Sequence, residues 1–286
     1  MKRVLITGAN SYVGTNVEKW LMKEPDNYYV ETLNMQDPNW KAFDFSSFDV
    51  VFHVAGIAHV STKKSMRDLY FRVNRDLAIE TAQKAKESGV KQFIFMSSMI
   101  VYNSKETKIT KNTIPNPDNF YGESKLLAEE GILKLHSEDF IVSIIRPPMI
   151  YGFDSKGNFN RLMNLPKFLI IFPKFNNTRS VLYIDNLSEF INQVIKHKKA
   201  NILYPQNIDY MNTWEIVKMI SELKKRKIRF TRIFNPLISI LKSRISIVNK
   251  LFSCFYYDFD LSNYDFTYQQ TDTKKSIERS IKTEEV

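Results

Sequence analysis

The sequence predicts an α/β fold: a doubly wound parallel sheet with a smaller C-terminal domain. Three observations carry that expectation. Short, almost wholly apolar runs recur through the first half of the chain, the pattern of strands buried on both faces. Amphipathic stretches of ten or more residues alternate with them, as right-handed crossover connections require. The first apolar run leads directly into "TGANSYVG" (residues 7–14), a glycine-bearing turn at the point where such sheets receive ligands.

The predicted strands are 2–6, 29–33, 50–54, 92–96 and 142–145, each dominated by Val, Ile, Leu and Phe. The predicted helices are 12–23, 66–88 and 121–136, and Gly89 closes the second of them. Beyond about residue 156 the elements shorten, punctuated by Pro166, Pro173, Pro205 and Pro236. The expected division is 1–156 for the first domain, with 179–204 returning to it, and 157–286 for a second domain that holds the substrate. With 286 residues, 43% of them hydrophobic, the chain can bury a large core, which excludes a disordered protein.

No apolar run approaches the ~20 residues that span a bilayer, and the apolar start stops at Thr7 and Gly8, too short for a secretory signal. A single cysteine, Cys254, fits a reducing compartment, so the expectation is a soluble, cytoplasmic protein. The four histidines show no metal-ligand spacing, and no metal is expected. The net charge of +10 is localised: residues 196–250 carry 13 basic and 3 acidic side chains, centred on "KKRKIRFTR". Three readings stand beside one another for this segment: an anionic substrate group, a solvated basic face, and weak contact with an anionic membrane surface or a membrane-bound enzyme. No stacking-plus-basic module points to nucleic acid.

Three stretches carry chemistry. In the turn, Gly8 permits the sharp bend and Gly14 close helix packing, while the amides around Asn10, Ser11, Tyr12 and Val13 can receive a diphosphate. Ser11 stands where a three-glycine fingerprint has its middle glycine. In "YGESK", the four-residue spacing puts Tyr121 and Lys125 on one helix face, where a cation favours a phenolate. The strand "FIFMSSMIVY" ends at Ser97 and Ser98, so Ser98 can hold a carbinol or carbonyl oxygen while Tyr121 transfers its proton.

Together "TGANSYVG", "DVVFHVAG", "RVNRDLA", "SSMIVY", "NFYGESK", "IIRPPMIYG" and "RSVLYIDNL" resemble the extended short-chain dehydrogenase/reductases of the nucleotide-sugar epimerase/dehydratase family over nearly the whole length. The resemblance implies a Rossmann fold, NAD or NADP as cofactor, a UDP-linked sugar as substrate and a homodimer. It also implies roles. Ser98, Tyr121 and Lys125 are the catalytic set; Ala55, Asn74, Lys125 and Pro148 line the cofactor; Asn158 (in "GNFNRLM") and Arg179 contact the substrate, Arg179 at its diphosphate. Asn34 takes the place of the ribose-binding acid and leaves NAD and NADP both open, and Asp44 resembles the adenine-binding aspartate. Met99 and Ile100 follow Ser98 where dehydratases carry an acidic pair. The expected reaction is therefore 4-keto reduction of a UDP-linked 6-deoxy-N-acetylhexosamine for surface polysaccharide, with UDP-sugar 4-epimerisation on tightly held NAD as the alternative. A non-catalytic dinucleotide-binding scaffold is a third reading, opposed by the complete Ser, Tyr and Lys set.

Overall fold

The computed structural model describes residues 1–57, 64–155 and 157–281, without the side chains of Asn158 and Ser246. Strand β1 (Lys2–Thr7) shows why the predicted strands read as continuous apolar runs. Its Val4 and Ile6 point into one layer and Leu5 into the other, and all three are fully buried. The turn follows, then α1 (Tyr12–Leu21), β2 (Tyr28–Leu33) and β3 (Val50–His53).

The predicted long helix 66–88 is instead three segments: α2 (Arg67–Tyr70), a π-helical stretch (Phe71–Asp76) and α3 (Leu77–Glu87). The wider π turn contains Asn74, whose fully buried carboxamide is anchored outside the helix. Gly89, at φ +82°, ends α3 as expected, with the Val90 amide donating back to Ala85.

Next come β4 (Gln92–Met96), the short β5 (Lys108–Ile109), α4 (Phe120–Leu133), β6 (Ile141–Ile145) and β7 (Met149–Tyr151). The second half holds α5 (Asn158–Asn164), β8 (Ile171–Pro173), β9 (Val181–Tyr183), α6 (Ile184–His197) and β10 (Asn201–Leu203). It closes with α7 (Thr213–Leu223), β11 (Arg229–Thr231), α8 (Asn235–Leu241), α9 (Ser246–Phe252), β12 (Tyr256–Tyr257) and α10 (Thr273–Ser280).

Six strands form one all-parallel sheet in the order β10-β6-β4-β3-β1-β2. One apolar layer joins α1, α6 and α7 across one face, and another joins α3 and α4 across the opposite face. Strand order reverses at β1, which lies between β2 and β3, so a ligand crevice opens at their carboxyl ends, where Thr7 is in register with His53. Chain from the second half completes the sheet: β9 leads through α6 into β10, which pairs with β6. Three two-stranded parallel pairs, β7 with β9, β8 with β11 and β5 with β12, bind the rest together.

Candidate active site

The turn after β1 is built from main chain. Gly8 sits at φ +120°, and a Cβ there would lie 2.7 Å from the Ala55 amide nitrogen, so only glycine lets β1 and the exit of β3 come this close. The Ala55 amide in turn donates to Thr7 O at 2.9 Å. Asn10 adopts a left-handed conformation, φ +63°, which asparagine tolerates. The Gly8 and Ala9 amides both donate to Leu33 O, tying the turn to the end of β2.

Ser11 is the N-cap of α1: its hydroxyl accepts from the Gly14 amide at 3.1 Å, and a Cβ on Gly14 would press to 2.6 Å from that oxygen. The residue that departs from the glycine fingerprint thus supplies a cap, and a side chain at 14 would displace the capping hydroxyl. The amides of Tyr12 and Val13, in the first turn of α1, have no intrahelical acceptor and stand at the positive end of the helix dipole. Asn34, exposed at the end of β2, folds its carbonyl oxygen onto the Gln36 amide at 3.0 Å. Asp44 is exposed, and its bonds from Ser46 hold its carboxyl below the usual range. These residues fit a dinucleotide: a small-residue cradle with free amides for the diphosphate, and a polar carboxamide at the ribose position.

The second part of the site is built from side chains, most of them buried. Ser98 ends the run from β4, accepts from the Ile100 amide at 3.3 Å, and lies near enough to the Tyr121 phenol to draw its pKa down. Tyr121 lies in the first turn of α4, which Asn119 caps through the Gly122 amide at 2.9 Å. A side chain at Gly122 would strike Ile100 O, so glycine after the tyrosine lets α4 close onto the serine turn. One turn on, Lys125 is 4% exposed, donates from Nζ to Met96 O at 2.8 Å, and lies 4.6 Å over the Phe95 ring.

Burial governs both ionisations. It pushes the Tyr121 phenol up to about 12, with the nearby Ser98 hydroxyl pulling down and Tyr70 pushing up. It lowers the Lys125 ammonium to about 8, partly offset by Glu129. The expectation that Lys125 lowers the Tyr121 pKa is therefore not met in this geometry: the serine acts on the phenol, and the lysine is held on a strand-end carbonyl.

Asn74 positions this cluster. It accepts from the Ile57 amide at 2.8 Å and donates to Ile57 O and Ser124 Oγ, each at 3.2 Å, joining the exit of β3 to α4. His53, fully buried against Phe93 and Phe95, shares a 2.8 Å hydrogen bond with Thr7 Oγ1, and burial lowers it to about 3. The imidazole is neutral at any working pH.

Two residues were absent from the expected set, one beyond the end of a quoted motif and one inside another. Glu129 falls four residues after Lys125, and Arg146 stands in "IIRPP". They form an ion pair at 2.5 Å with side chains 1% and 4% exposed. Ser97 donates to Glu129, and Arg146 donates to Tyr102 Oη at 2.8 Å. The sequence signal was the helical spacing of Tyr121, Lys125 and Glu129, which places all three on one face.

The chain then passes into its second half. Met99 N donates to Pro147 O at 2.9 Å, so the serine turn is fixed to the buried segment bearing Pro148. Met149, next in sequence, lines a cavity with Arg161, Leu162, Arg179, Ile216 and Lys250. Arg179 donates to Ser253 O at 3.1 Å, and burial lowers its pKa. Asn158 opens α5, the helix that brings Arg161 to this cavity, but its side chain lies outside the described residues. The structure thus brings Ser98, Tyr121 and Lys125 together at one sheet edge and places Arg179 in a cationic, largely apolar cavity reached from Met149.

Residues 4–204 match the model of the NAD dependent epimerase/dehydratase family. The chain is 35% identical over 228 residues to a UDP-glucose 4-epimerase of Vibrio cholerae, covering 70% of this chain and 68% of that protein. It is 28% identical over 254 residues to the N-acetyl-alpha-D-glucosaminyl-diphospho-ditrans,octacis-undecaprenol 4-epimerase of Escherichia coli O157:H7, covering 82% and 76%. The UDP-glucuronic acid 4-epimerase of Bacillus cereus, solved with NAD, shares the fold with a TM-score of 0.74 over 97% of each chain at 17% identity.

Proposed function

The chain belongs to the NAD dependent epimerase/dehydratase family, and from that premise we propose that it is a 4-epimerase of a diphosphate-linked sugar. It is an NAD(P)-dependent nucleotide-sugar enzyme; the reaction is the finer step, and it rests on the placing of Ser98, the buried Tyr121 and the buried Lys125 together at the carboxyl end of β4. The curated relatives named as 4-epimerases support the choice of reaction. Held by these residues, a dinucleotide would supply reversible hydride acceptance at the sugar carbon.

The chain's own residues do the rest. The Tyr12 and Val13 amides and the turn around Gly8 hold the dinucleotide, with Asn34 and Asp44 toward its adenosine end. Ser98 orients the sugar 4-oxygen, and Tyr121 Oη takes its proton and gives it back. Lys125, one helical turn on and anchored on Met96 O, binds the ribose of the dinucleotide. Arg179, with Arg161 and Lys250 beside it, neutralises the substrate diphosphate, and the apolar wall of that cavity receives the group attached to it. Residues 1–156 with 179–204 hold the dinucleotide in this reading, and the remainder holds the substrate.

A second reading, reduction of a UDP-linked 4-keto-6-deoxy-N-acetylhexosamine, is favoured by the stretches "FIFMSSMIVY", "RPPMIYG" and "GNFNRLM". One experiment separates the two. Protein loaded with NAD is incubated with UDP-glucose and with UDP-N-acetylglucosamine, and C4 configuration is followed by proton NMR. Epimers at equilibrium with no net change in nicotinamide absorbance are the expected result. No epimer, with stoichiometric loss of NADH or NADPH on adding a 4-keto sugar, overturns the epimerase in favour of the reductase.

A further inference from the structure

The basic segment that the catalytic reading leaves unused folds together with a set of exposed apolar side chains. Ile233, Leu237 and Ile240, spaced four and three residues apart, form the outer stripe of α8 and the turn before it, and each is more than half exposed. Ile238, on the inner side, anchors the helix. Beside it, β11 pairs with β8, the Arg229 amide donates to Ile170 O at 2.8 Å, and Asn235 donates to Lys174 O. This brings Phe168, 81% exposed, and Ile170, 76% exposed, to the same region. The cations Lys225, Arg226, Lys227, Arg229, Arg232 and Arg244 are all exposed, and none is ion-paired among the described residues.

We propose that α8, α9 and the β8–β11 edge dock on an anionic phospholipid surface. Isolated leucine and isoleucine side chains projecting among unpaired lysines and arginines suit the headgroup boundary, where apolar tips enter the acyl region and cations meet lipid phosphates. Charge decides against a second copy as occupant, because a two-fold interface would set this cationic patch against itself. Among the described residues no helix is long and apolar enough to cross a membrane, so contact is at the surface. The docked face includes the mouth of the cavity: Ile247 of α9, 62% exposed, and Lys250 both line it with Arg179. On the proposed reading of that cavity as the diphosphate site, docking holds its opening against the bilayer.

The test is cosedimentation of the full chain, without substrate, with phosphatidylglycerol/phosphatidylcholine vesicles and with phosphatidylcholine alone. Binding to the anionic vesicles at low ionic strength, weakened by salt and absent from the neutral ones, is expected. The double variants Leu237→Ser/Ile240→Ser and Arg226→Glu/Lys227→Glu should each lose at least about tenfold in vesicle affinity while turning over a water-soluble UDP-sugar as before. Three outcomes overturn the proposal: no binding of the unaltered chain at low salt, equal binding by the variants, or a solution dimer that Leu237→Ser/Ile240→Ser converts to monomer without any lipid binding. Lipid binding is read apart from turnover, so its failure leaves the epimerase reading intact.

Discussion

The turn after β1 and the edge formed by β4 and α4 both serve the candidate site, yet they are made of different material. In the turn, function is carried by peptide amides and by the absence of side chains at Gly8 and Gly14. At the edge it is carried by side chains withdrawn from water, Tyr121, Lys125, Glu129 and Arg146, each depending on a partner. Main-chain sites tolerate substitution as long as the backbone path holds. Buried polar sites do not, because an unpaired donor or charge in a low-dielectric interior is costly. The effect of mutation should therefore be large at the edge and small at the turn.

The largest effect is expected for Tyr121→Phe, which removes the atom proposed to carry the proton. Turnover should fall by about a thousandfold, within the ordinary range for losing a general acid–base group. Thermal stability should change by no more than about 1 kcal/mol, the usual net worth of one hydrogen-bonding hydroxyl. Steady-state kinetics alongside calorimetry checks this, and near-normal turnover would remove Tyr121 from the mechanism.

Glu129→Gln comes next. It leaves Arg146 as an uncompensated buried cation, which costs about 3–5 kcal/mol of stability. Denaturant titration should show it as a lowered midpoint with an unchanged slope. Where the single variant does not fold, Glu129→Leu/Arg146→Met gives the check, since removing both charges should recover much of the loss. Equal instability of single and double variants would show that packing, not charge, holds this edge.

Much of this edge was legible in the sequence and some was not, for physical reasons. Strand period and apolar runs placed β1 to β4 within a residue or two, because burial on both faces leaves few alternatives. The four-residue spacing from Tyr121 to Lys125 was visible because a helix fixes it. The lysine's bond to Met96 O was not, because a long side chain chooses among acceptors that only the folded sheet brings near. Asn74 was found by motif, but the π turn that carries it was hidden, since an extra residue in a helix is set by tertiary anchors rather than by propensity. The cavity around Arg179 draws on α5, α7 and α9, segments far apart in sequence, and no local pattern joins them.

His53 bridges the two regions, being hydrogen-bonded to Thr7 of β1 and stacked on the aromatic rings of β4. Its folded-state pKa of about 3 lies well below the ordinary 6.5. Between those values the unfolded chain binds a proton that the folded one refuses. The neutral ring is thus without penalty above pH 6.5, and stability is lost as pH falls from there toward 3, by at most about 1.4 kcal/mol per unit from this group. Melting temperatures from pH 7 to 4.5 should fall in the unaltered chain and fall less steeply in His53→Asn. Parallel curves would assign the acid sensitivity elsewhere.

The smallest effects belong to the turn, and Ser11 sharpens the comparison most. Its hydroxyl caps α1 through the Gly14 amide, so Ser11→Ala should cost about 1 kcal/mol, whereas Ser11→Gly should cost only a few tenths. Neither change blocks the path to the Tyr12 and Val13 amides, so dinucleotide affinity should shift less than about threefold, well under 1 kcal/mol. Fluorescence titration with NAD and NADP measures it. A tenfold loss in Ser11→Gly would mean that the serine hydroxyl itself holds the ligand, and the turn would then resemble the side-chain-built edge it is contrasted with. A near-silent substitution would mean that the cap is all the serine contributes, and that a glycine fingerprint can lose its middle member wherever a small N-cap residue leaves the backbone where it was.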